Sequence, residues 1–140
     1  MKRFPWKLAA AAILGVAGLA GCASTSLDVC SNADGALNGA FVFVTSPSPG
    51  QRVSSGFAAH GCSRTFESNV QWRLRARSGA LLASGFTSGG GVDGPAGFAF
   101  TVSYSVAERQ IGHLEVFEED ASDGEGFPPP RCVIPLVLQP

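Results

Sequence analysis

The stretch Val70-Gln71-Trp72-Arg73-Leu74-Arg75-Ala76-Arg77 decides the fold of this 140-residue chain. Its apolar and polar residues alternate strictly, and this period of two is typical of a β-strand with one buried and one solvated face. The four apolar side chains would point into a core, while the glutamine and the three arginines would point to solvent. We therefore predict a strand here whose outer face is rich in arginine.

Shorter strand-like runs precede and follow this strand. Turns rich in glycine and proline separate the runs, and we find no helix between them. Together with 70–77, the runs are 41–45, 53–62, 80–87, 98–105, 113–118 and 132–138. Seven such strands in about 100 residues predict an all-β fold, an immunoglobulin-like antiparallel β-sandwich of about seven strands. A small closed β-barrel is the alternative.

Individual residues add detail to the predicted sandwich. Trp72 falls on the third strand, where immunoglobulin-like folds commonly bury a tryptophan. Leu114 and Val116 occupy the expected inner face of the sixth strand. Tyr104 is expected within the fifth strand, which should bury its aromatic face. Pro135 interrupts the last strand, and a proline inside a strand points to the edge of a sheet.

The first residues have the composition of an export signal. Lys2, Arg3 and Lys7 precede an apolar run at 8–20, which is shorter than the about 20 apolar residues that a membrane-spanning helix needs. The run ends in Leu19-Ala20-Gly21-Cys22, which resembles the lipobox of bacterial lipoproteins. We therefore predict that residues 1–21 are a lipoprotein signal peptide and that Cys22 is lipidated. Ordinary signal cleavage, without lipidation, is the alternative.

Removal of 21 of the 140 residues would leave a chain of 119 residues with seven basic and 11 acidic side chains, a net charge of −4. A mildly acidic domain of this kind is a poor match for nucleic acid, whose binders normally carry a basic surface. Residues 22–39 are rich in Ser, Ala, Asn and Gly and are predicted to form a flexible tether. Residues 40–140 would form one domain.

Three cysteines remain after Cys22, so one disulfide is allowed within a monomer. In the expected topology Cys30, Cys62 and Cys132 lie at the same end of the sandwich. We predict a disulfide between Cys30 and Cys62, because the first two strands should form a hairpin that brings them together. Cys132 would then be a buried thiol that behaves as a small apolar residue. A bridge from Cys62 to Cys132 is the alternative.

Several short motifs occur in order along the folded part. They are Thr45-Ser46-Pro47-Ser48-Pro49-Gly50-Gln51-Arg52-Val53, Phe66-Glu67-Ser68-Asn69-Val70, Gly112-His113-Leu114-Glu115-Val116-Phe117-Glu118 and Ser122-Asp123-Gly124. With these motifs, residues from 41 to 138 resemble the immunoglobulin-like domain family named for bacterial spore germination. The resemblance implies an immunoglobulin-like sandwich in envelope-associated, often lipid-anchored proteins, and no catalytic residues. Any link to germination is implied by the resemblance alone.

The arginine-rich face is the first candidate binding site. Arg73, Arg75 and Arg77 could grip an anionic partner, because guanidinium groups suit carboxylate and phosphate. The competing hypothesis is a cross-strand ladder with Glu115 and Glu119, in which the outward-facing Phe117 stacks between guanidinium groups. The sequence favours the ladder.

Two further groups of residues could form sites, and for each a solvated or structural role is the competing hypothesis. Asp120, Asp123 and Glu125 lie in an acidic, glycine-containing loop that could bind calcium, although their spacing does not follow the helix-loop-helix calcium pattern. His60 and Cys62 share one face of a strand, and His113 and Cys132 could join them in a metal or nucleophile site. None of these spacings is specific, so we predict no metal, no cofactor and no enzymatic activity.

These observations predict an extracytoplasmic binding or assembly module, anchored by lipid to the cell membrane or the outer membrane of a bacterium. Its partner would be an envelope protein or a cell-wall glycan. The alternatives are a purely structural envelope lipoprotein and, less favoured, an envelope hydrolase or a metal-binding protein. The sequence leaves the oligomeric state open.

Overall fold

The structure, a computed structural model, describes residues 30, 39–121, 124–126 and 128–140. Its strands are β1 (Phe41–Ser46), β2 (Arg52–Val53), β3 (Phe57–Arg64), β4 (Asn69–Arg75), β5 (Leu81–Ser88), β6 (Ala96–Val102), β7 (Gln110–Phe117) and β8 (Arg131–Leu138). They form a three-stranded sheet in the order β1-β3-β6 and a five-stranded sheet in the order β2-β8-β7-β4-β5. The predicted all-β sandwich is confirmed, with one strand more than expected.

The extra strand arises because the prediction of a single strand over 53–62 is wrong. Val53 belongs to β2, which pairs in parallel with β8 in the five-stranded sheet. The next strand, β3, pairs with β1 and β6 in the other sheet. Between them lies Gly56 with a φ of +87°, a left-handed conformation that glycine adopts without steric cost. The chain therefore crosses from one sheet to the other at this glycine.

The core lies between the two sheets. The alternating pattern that predicted β4 is confirmed, because Val70, Trp72, Leu74 and Ala76 are all buried. The indole of Trp72 stacks on the ring of Phe100 in the opposite sheet, with 4.9 Å between ring centroids and 3° between planes. Its other neighbour is Gly85 on β5, where an added Cβ would come within 2.6 Å of the indole. The tryptophan therefore fills a space that only glycine leaves open.

The last strand, β8, is not at a sheet edge, so the prediction from Pro135 needs correction. The edge strand on this side of the sheet is β2, which is only two residues long and pairs with Val137 and Leu138 of β8. Pro135 lies just before this pairing, and its carbonyl accepts a hydrogen bond from the backbone N–H of Gly50 at 2.8 Å. Since proline lacks an N–H group, it fits where the neighbouring chain requires only its carbonyl.

Tyr104 lies just beyond β6 rather than within it, but its side chain is buried as predicted. Its hydroxyl donates to the carbonyl of Val53 at 2.7 Å and accepts a hydrogen bond from the backbone N–H of Gln139 at 3.1 Å. The tyrosine thus ties the connection after β6 to the ends of β2 and β8. Burial raises the pKa of this phenol above its usual value of 10.0, although the hydrogen bond with Gln139 opposes the shift.

Replacing Tyr104 by phenylalanine is expected to lower the free energy of unfolding by about 1–2 kcal/mol, because the Val53 carbonyl loses its buried donor. The raised pKa in the folded state also predicts a pH effect. The native protein holds the phenolic proton more tightly than the unfolded chain, so this contribution is complete below about pH 10 and is lost as pH rises through the folded-state pKa. In urea unfolding at several alkaline pH values, the free energy of unfolding should fall more steeply with pH for the wild type than for Tyr104→Phe. Equal slopes would contradict a raised pKa of Tyr104 in the folded state.

No helix among the described residues has the length and apolar character needed to cross a membrane.

Candidate functional site

The outward surface of the five-stranded sheet carries most of the arginines. We call this surface the arginine face and define it by Arg52, Arg73, Arg75 and Arg131 on the strands, together with Arg77 just after β4. These are five of the seven arginines in residues 22–140, and that segment contains no lysine. Because burial alternates along β4, Gln71, Arg73 and Arg75 lie on the outer side of the sheet, and the buried residues of β4 lie on the core side. The predicted arginine-rich outer face is therefore present and extends beyond β4.

The neighbours of β4 are β5 and β7, as the register shows. Arg73 on β4 lies opposite Glu115 on β7, and Gln71 lies opposite Phe117. The predicted adjacency of β4 and β7 is therefore confirmed. The guanidinium carbon of Arg73 is 4.4 Å from the centroid of the Phe117 ring, and that of Arg131 is 5.9 Å away. Cation–π contacts of this kind contribute about 0.5–1 kcal/mol at exposed sites. Phe117 stacks between guanidinium groups, as predicted, with Arg131 as the second partner.

The predicted ladder of ion pairs is only partly present. Glu115 forms its ion pair with Arg131 at 3.1 Å, although it lies directly opposite Arg73. The carboxylate of Glu119 accepts a hydrogen bond from the amide of Gln71 at 3.4 Å. Among the described residues, Arg131 is the sole arginine of this face in an ion pair. The ladder therefore leaves most of the positive charge on the face without a paired carboxylate.

Arg75 of β4 and Arg77 just after it contact backbone or solvent. One guanidinium nitrogen of Arg75 donates to the carbonyl of Gly79 at 3.1 Å, which holds the side chain along the turn after β4. Arg77 is exposed, and its backbone N–H donates to the side-chain oxygen of Gln110 at 3.3 Å. Neither guanidinium group meets a carboxylate among the described residues, so both can pair with a partner's acidic groups.

Exposed apolar side chains lie among these arginines. Phe86 on β5 is 75% exposed and lies opposite Gln71, and Leu81 is 54% exposed and lies opposite Arg75. Val133 on β8 is 51% exposed and lies opposite Glu115. The sequence prediction did not single out these residues or Arg131. Period-two alternation along β5 and β8 is the signal that would have placed them on the outer face.

One end of the sheet is acidic. Glu67, Glu118, Glu119 and Asp120, which we call the acidic end, line a cleft of about 230 Å³ together with the exposed Phe66. The backbone N–H of Phe66 donates to the carboxylate of Glu118. This cleft lies beyond the last residues of β7, next to Gln71.

The calcium site, which the sequence does not favour, stays a hypothesis. Asp120 and Glu125 belong to the described residues, and Asp123 lies outside them. Across the part of the chain that the structure describes, no three His, Cys, Asp or Glu side chains are grouped so that they could hold a metal ion. Calcium titration followed by melting temperature tests the hypothesis, since binding to the native state would raise the midpoint.

The structure joins Cys30 to Cys62 in a disulfide, with 5.5 Å between the Cα atoms, which confirms the predicted pairing. Cys30 and Cys62 are buried with Phe41 and Phe43 on the outer side of the three-stranded sheet. A bridge that spans 32 residues contributes roughly 3 kcal/mol in the chain-entropy account. Cys132 is a free thiol that packs against the core but is only half-buried, so the prediction of a buried thiol is met only in part.

The histidines and cysteines do not come together as a metal or nucleophile site. His60 and Cys62 share the outward face of β3, as predicted, but the disulfide removes the Cys62 thiol. His113 lies on the outer surface of the five-stranded sheet, opposite Pro135, whereas Cys132 is on the core side of β8. Side chains on opposite sides of a sheet cannot share one ligand or one proton.

The match to a protein family agrees with this architecture. Residues 41–125 match the family described as the immunoglobulin-like domain of bacterial spore germination. The chain belongs to this family. The match begins at β1 and covers the strands through β7, which confirms the resemblance carried by the sequence motifs. No curated protein matches the sequence. A solved structure, CopC from Methylosinus trichosporium OB3b, is 16% identical with a TM-score of 0.46, over 73% of this chain and 95% of that chain.

Cys22 and the residues before it lie outside the described residues. The lipid anchor therefore stays a prediction from the sequence, and it belongs with the proposed function of this family member.

Proposed function

We propose that this chain is a lipid-anchored, extracytoplasmic immunoglobulin-like module that binds or assembles partners at the bacterial cell envelope, without catalysing a reaction. The lipobox motif that ends at Cys22 supports the anchor. Membership of the spore-germination immunoglobulin-like family supports a module whose function depends on its surface, because a fold of this kind supplies a scaffold rather than a chemistry.

The observation that carries the proposal is the arginine face. It is a sheet surface on which the guanidinium groups of Arg73, Arg75 and Arg77 have no carboxylate partner among the described residues. Exposed apolar side chains, such as Phe86 and Val133, lie beside them. Arginine and aromatic residues are enriched in protein interfaces, whereas lysine is depleted. An acidic surface of an envelope protein, or an anionic wall glycan, fits this combination.

The disulfide supports a position close to the membrane. Because Cys30 is bonded to Cys62, the segment that separates the anchor from the domain covers eight residue-to-residue steps, from Cys22 to Cys30. At about 3.5 Å per residue such a segment reaches at most about 28 Å. Partners would therefore be met at the membrane surface or in the adjoining wall layer.

Charge reversal of Arg75 tests the binding surface. Arg75→Glu is expected to weaken binding of the full chain to its envelope partner or to purified wall material by about tenfold or more, because a repulsive charge replaces an attractive one. The melting temperature should change little, since Arg75 is on the outer side of the sheet. Binding is measured by co-sedimentation with wall material and by crosslinked pull-down from native membranes.

Arg64→Glu is the matched control, because it makes the same charge change on the three-stranded sheet, where Arg64 pairs in register with Phe41. Its binding should equal that of the wild type. If Arg75→Glu binds as well as Arg64→Glu, the arginine face is not the binding surface. If neither wall material nor any membrane partner is recovered with the wild type, a purely structural lipoprotein describes the chain better.

A further inference from the structure

Strand β5 is the outermost strand of the five-stranded sheet on the side opposite β2. It is eight residues long and contains no charged residue and no proline. Native proteins usually protect an edge with a charge, a proline or a very short strand, because its backbone groups can pair with another chain. The edge at β2 is protected in this way, since β2 has two residues and one of them is Arg52. The edge at β5 has no such protection, and its one register shift lies near its first residue, Leu81.

The register shows which backbone groups of β5 face this edge. The backbone N–H of Gly89, just after β5, donates to the carbonyl of Ser68 at 2.9 Å. Hydrogen-bonded pairs alternate with other pairs in an antiparallel ladder, so the residues of β5 that bond to β4 follow from Gly89 in steps of two. The N–H and C=O groups of Ser84, Phe86 and Ser88 therefore point away from β4. In the part of the chain that the structure describes, these groups take part in no backbone hydrogen bond outside the ladder.

The rest of the sandwich holds this edge in position. On the core side of β5, Gly85 lies against the indole of Trp72, and the hydroxyl of Thr87 donates to the carbonyl of Ala99 on β6 at 3.0 Å. Since β5 is already ordered in this way, an added strand would not have to order it. On the outer side, Phe86 is 75% exposed and would gain contact with a side chain of the added strand.

One end of the edge is basic. The turn that joins β4 to β5 contains Arg77, and the guanidinium group of Arg75 donates to the carbonyl of Gly79 in the same turn at 3.1 Å. Leu81, where β5 begins, lies opposite Arg75. The segment 78–92 contains no acidic residue. A chain that pairs with β5 would therefore supply the carboxylates at this end.

We propose that β5 binds an extended segment of an envelope protein, which adds to the sheet as a further strand and places acidic side chains beside Arg75 and Arg77. Main-chain hydrogen bonds to an exposed sheet edge provide affinity in this mode of recognition, and alternate side chains provide specificity. The inference rests on the proposed function, since it names the kind of partner and the binding mode for the β5 side of the arginine face.

Two other occupants fit the edge less well. A second copy could pair its own β5 with this one, but its segment 78–92 would bring no carboxylate to the basic turn. An anionic wall glycan could meet the arginines, but it has no row of N–H and C=O groups with the spacing of a β-strand. An extended acidic segment of a protein supplies both the backbone groups and the charge.

A proline at the edge tests the binding mode. The probe is a fluorescein-labelled peptide of alternating threonine and valine with two glutamates at each end, so that either strand direction brings carboxylates to the basic turn. Ser84→Pro in the full chain removes an N–H that faces the edge and none that bonds to β4, a position where edge strands tolerate proline. We expect fluorescence anisotropy to show at least tenfold weaker binding of the peptide, whereas Ser84→Ala, which keeps the N–H, should bind as the wild type does. Equal binding by the two variants, or no binding by the wild type, would overturn the proposal.

A change in the peptide gives the same test without altering the protein. N-methylation of all inner backbone nitrogens keeps every side chain but removes the N–H groups from both edges of the peptide, so binding should weaken by at least tenfold. Arg77→Glu should weaken binding of the unmethylated peptide by about tenfold, because like charges then meet at the turn, while Arg64→Glu is the control and should not. A methylated peptide that binds as well as the unmethylated one would show that strand addition is wrong.

The inference and the proposed function can fail separately in crosslinked pull-downs from native membranes. If Ser84→Pro keeps the envelope partner that Arg75→Glu loses, strand addition at β5 is wrong and binding through the arginine face stands. If Ser84→Pro loses that partner while Arg75→Glu keeps it, the edge binds the partner and the proposed role of the arginine face is wrong.

Discussion

Replacing Cys22 by alanine is expected to release the protein from the bacterial membrane and to abolish its function in cells, while the fold stays intact. Each buried CH₂ group of a lipid chain contributes about 0.8 kcal/mol, and two or three chains hold a protein far more firmly than one. The charge of −4 on residues 22–140 gives the domain no electrostatic attraction to anionic lipids that could replace the anchor. Membrane fractionation measures the release, and circular dichroism of the purified variant checks the fold.

Cys132→Ala is the control for the loss of a thiol, because Cys132 is the free cysteine of the folded domain. This variant should stay in the membrane fraction and keep its function. A Cys22→Ala protein that is soluble and still functions in cells would show that anchoring is not part of the mechanism. One that stays in the membrane fraction would show that Cys22 is not the anchor.

Trp72→Ala is expected to lower the free energy of unfolding by about 3–5 kcal/mol, the usual cost of removing a buried aromatic side chain. The indole is 8% exposed and stacks on Phe100 across the sandwich, so its loss opens a cavity between the two sheets. Domains of this size are stable by only about 5–15 kcal/mol. Urea unfolding followed by circular dichroism measures the change, because the variant lacks the tryptophan that would report by fluorescence.

Phe86→Ala is the matched control for the removal of an aromatic ring. Phe86 lies on the adjacent strand but is 75% exposed, and surface substitutions usually change stability by about 0.5 kcal/mol or less. A loss below about 1 kcal/mol for Trp72→Ala would mean that the core between the sheets is not packed around this indole.

Strong alternation made most of the fold predictable. The pattern from Val70 to Ala76 fixes which side of β4 is buried, and the same reasoning placed Leu114 and Val116 in the core. Adjacency of β4 and β7 followed from the sandwich topology, and it brought Arg73 to Phe117. The Cys30–Cys62 pairing followed from the expected contact of the first two long strands, β1 and β3, which are neighbours in the structure.

Features that depend on a change of sheet or on a few long-range contacts were not predictable. The switch at Gly56 interrupts a run that reads as one strand, because a single glycine does not reveal which sheet the next residues join. The two-residue β2 is too short to produce a periodic signal. The hydrogen bonds of Tyr104 to Val53 and Gln139 join segments that are distant in sequence.

The candidate site was only partly predictable for a similar reason. The arginines of β4 stand out because they alternate with buried residues. Arg131 lies at the first position of β8, just outside the strand predicted over 132–138. Because Glu115 forms its ion pair with Arg131, it does not pair with Arg73, which lies directly opposite. Phe86 belongs to a strand with weak alternation, so its exposure beside Gln71 became evident only from the pairing of β5 with β4.

Photocrosslinking in living cells tests the central claim most directly, namely that an anchored domain binds its partners through the arginine face. A benzophenone amino acid is placed at Phe86 in the membrane-anchored full chain, and at Ala58 on the outer side of the three-stranded sheet as the control position. We predict that position 86 gives discrete crosslinked products, whether with a second copy or with an envelope partner, that are absent at position 58 and lost when Arg75→Glu is added. Identical products at both positions, or products at position 86 that persist with Arg75→Glu, would contradict the claim.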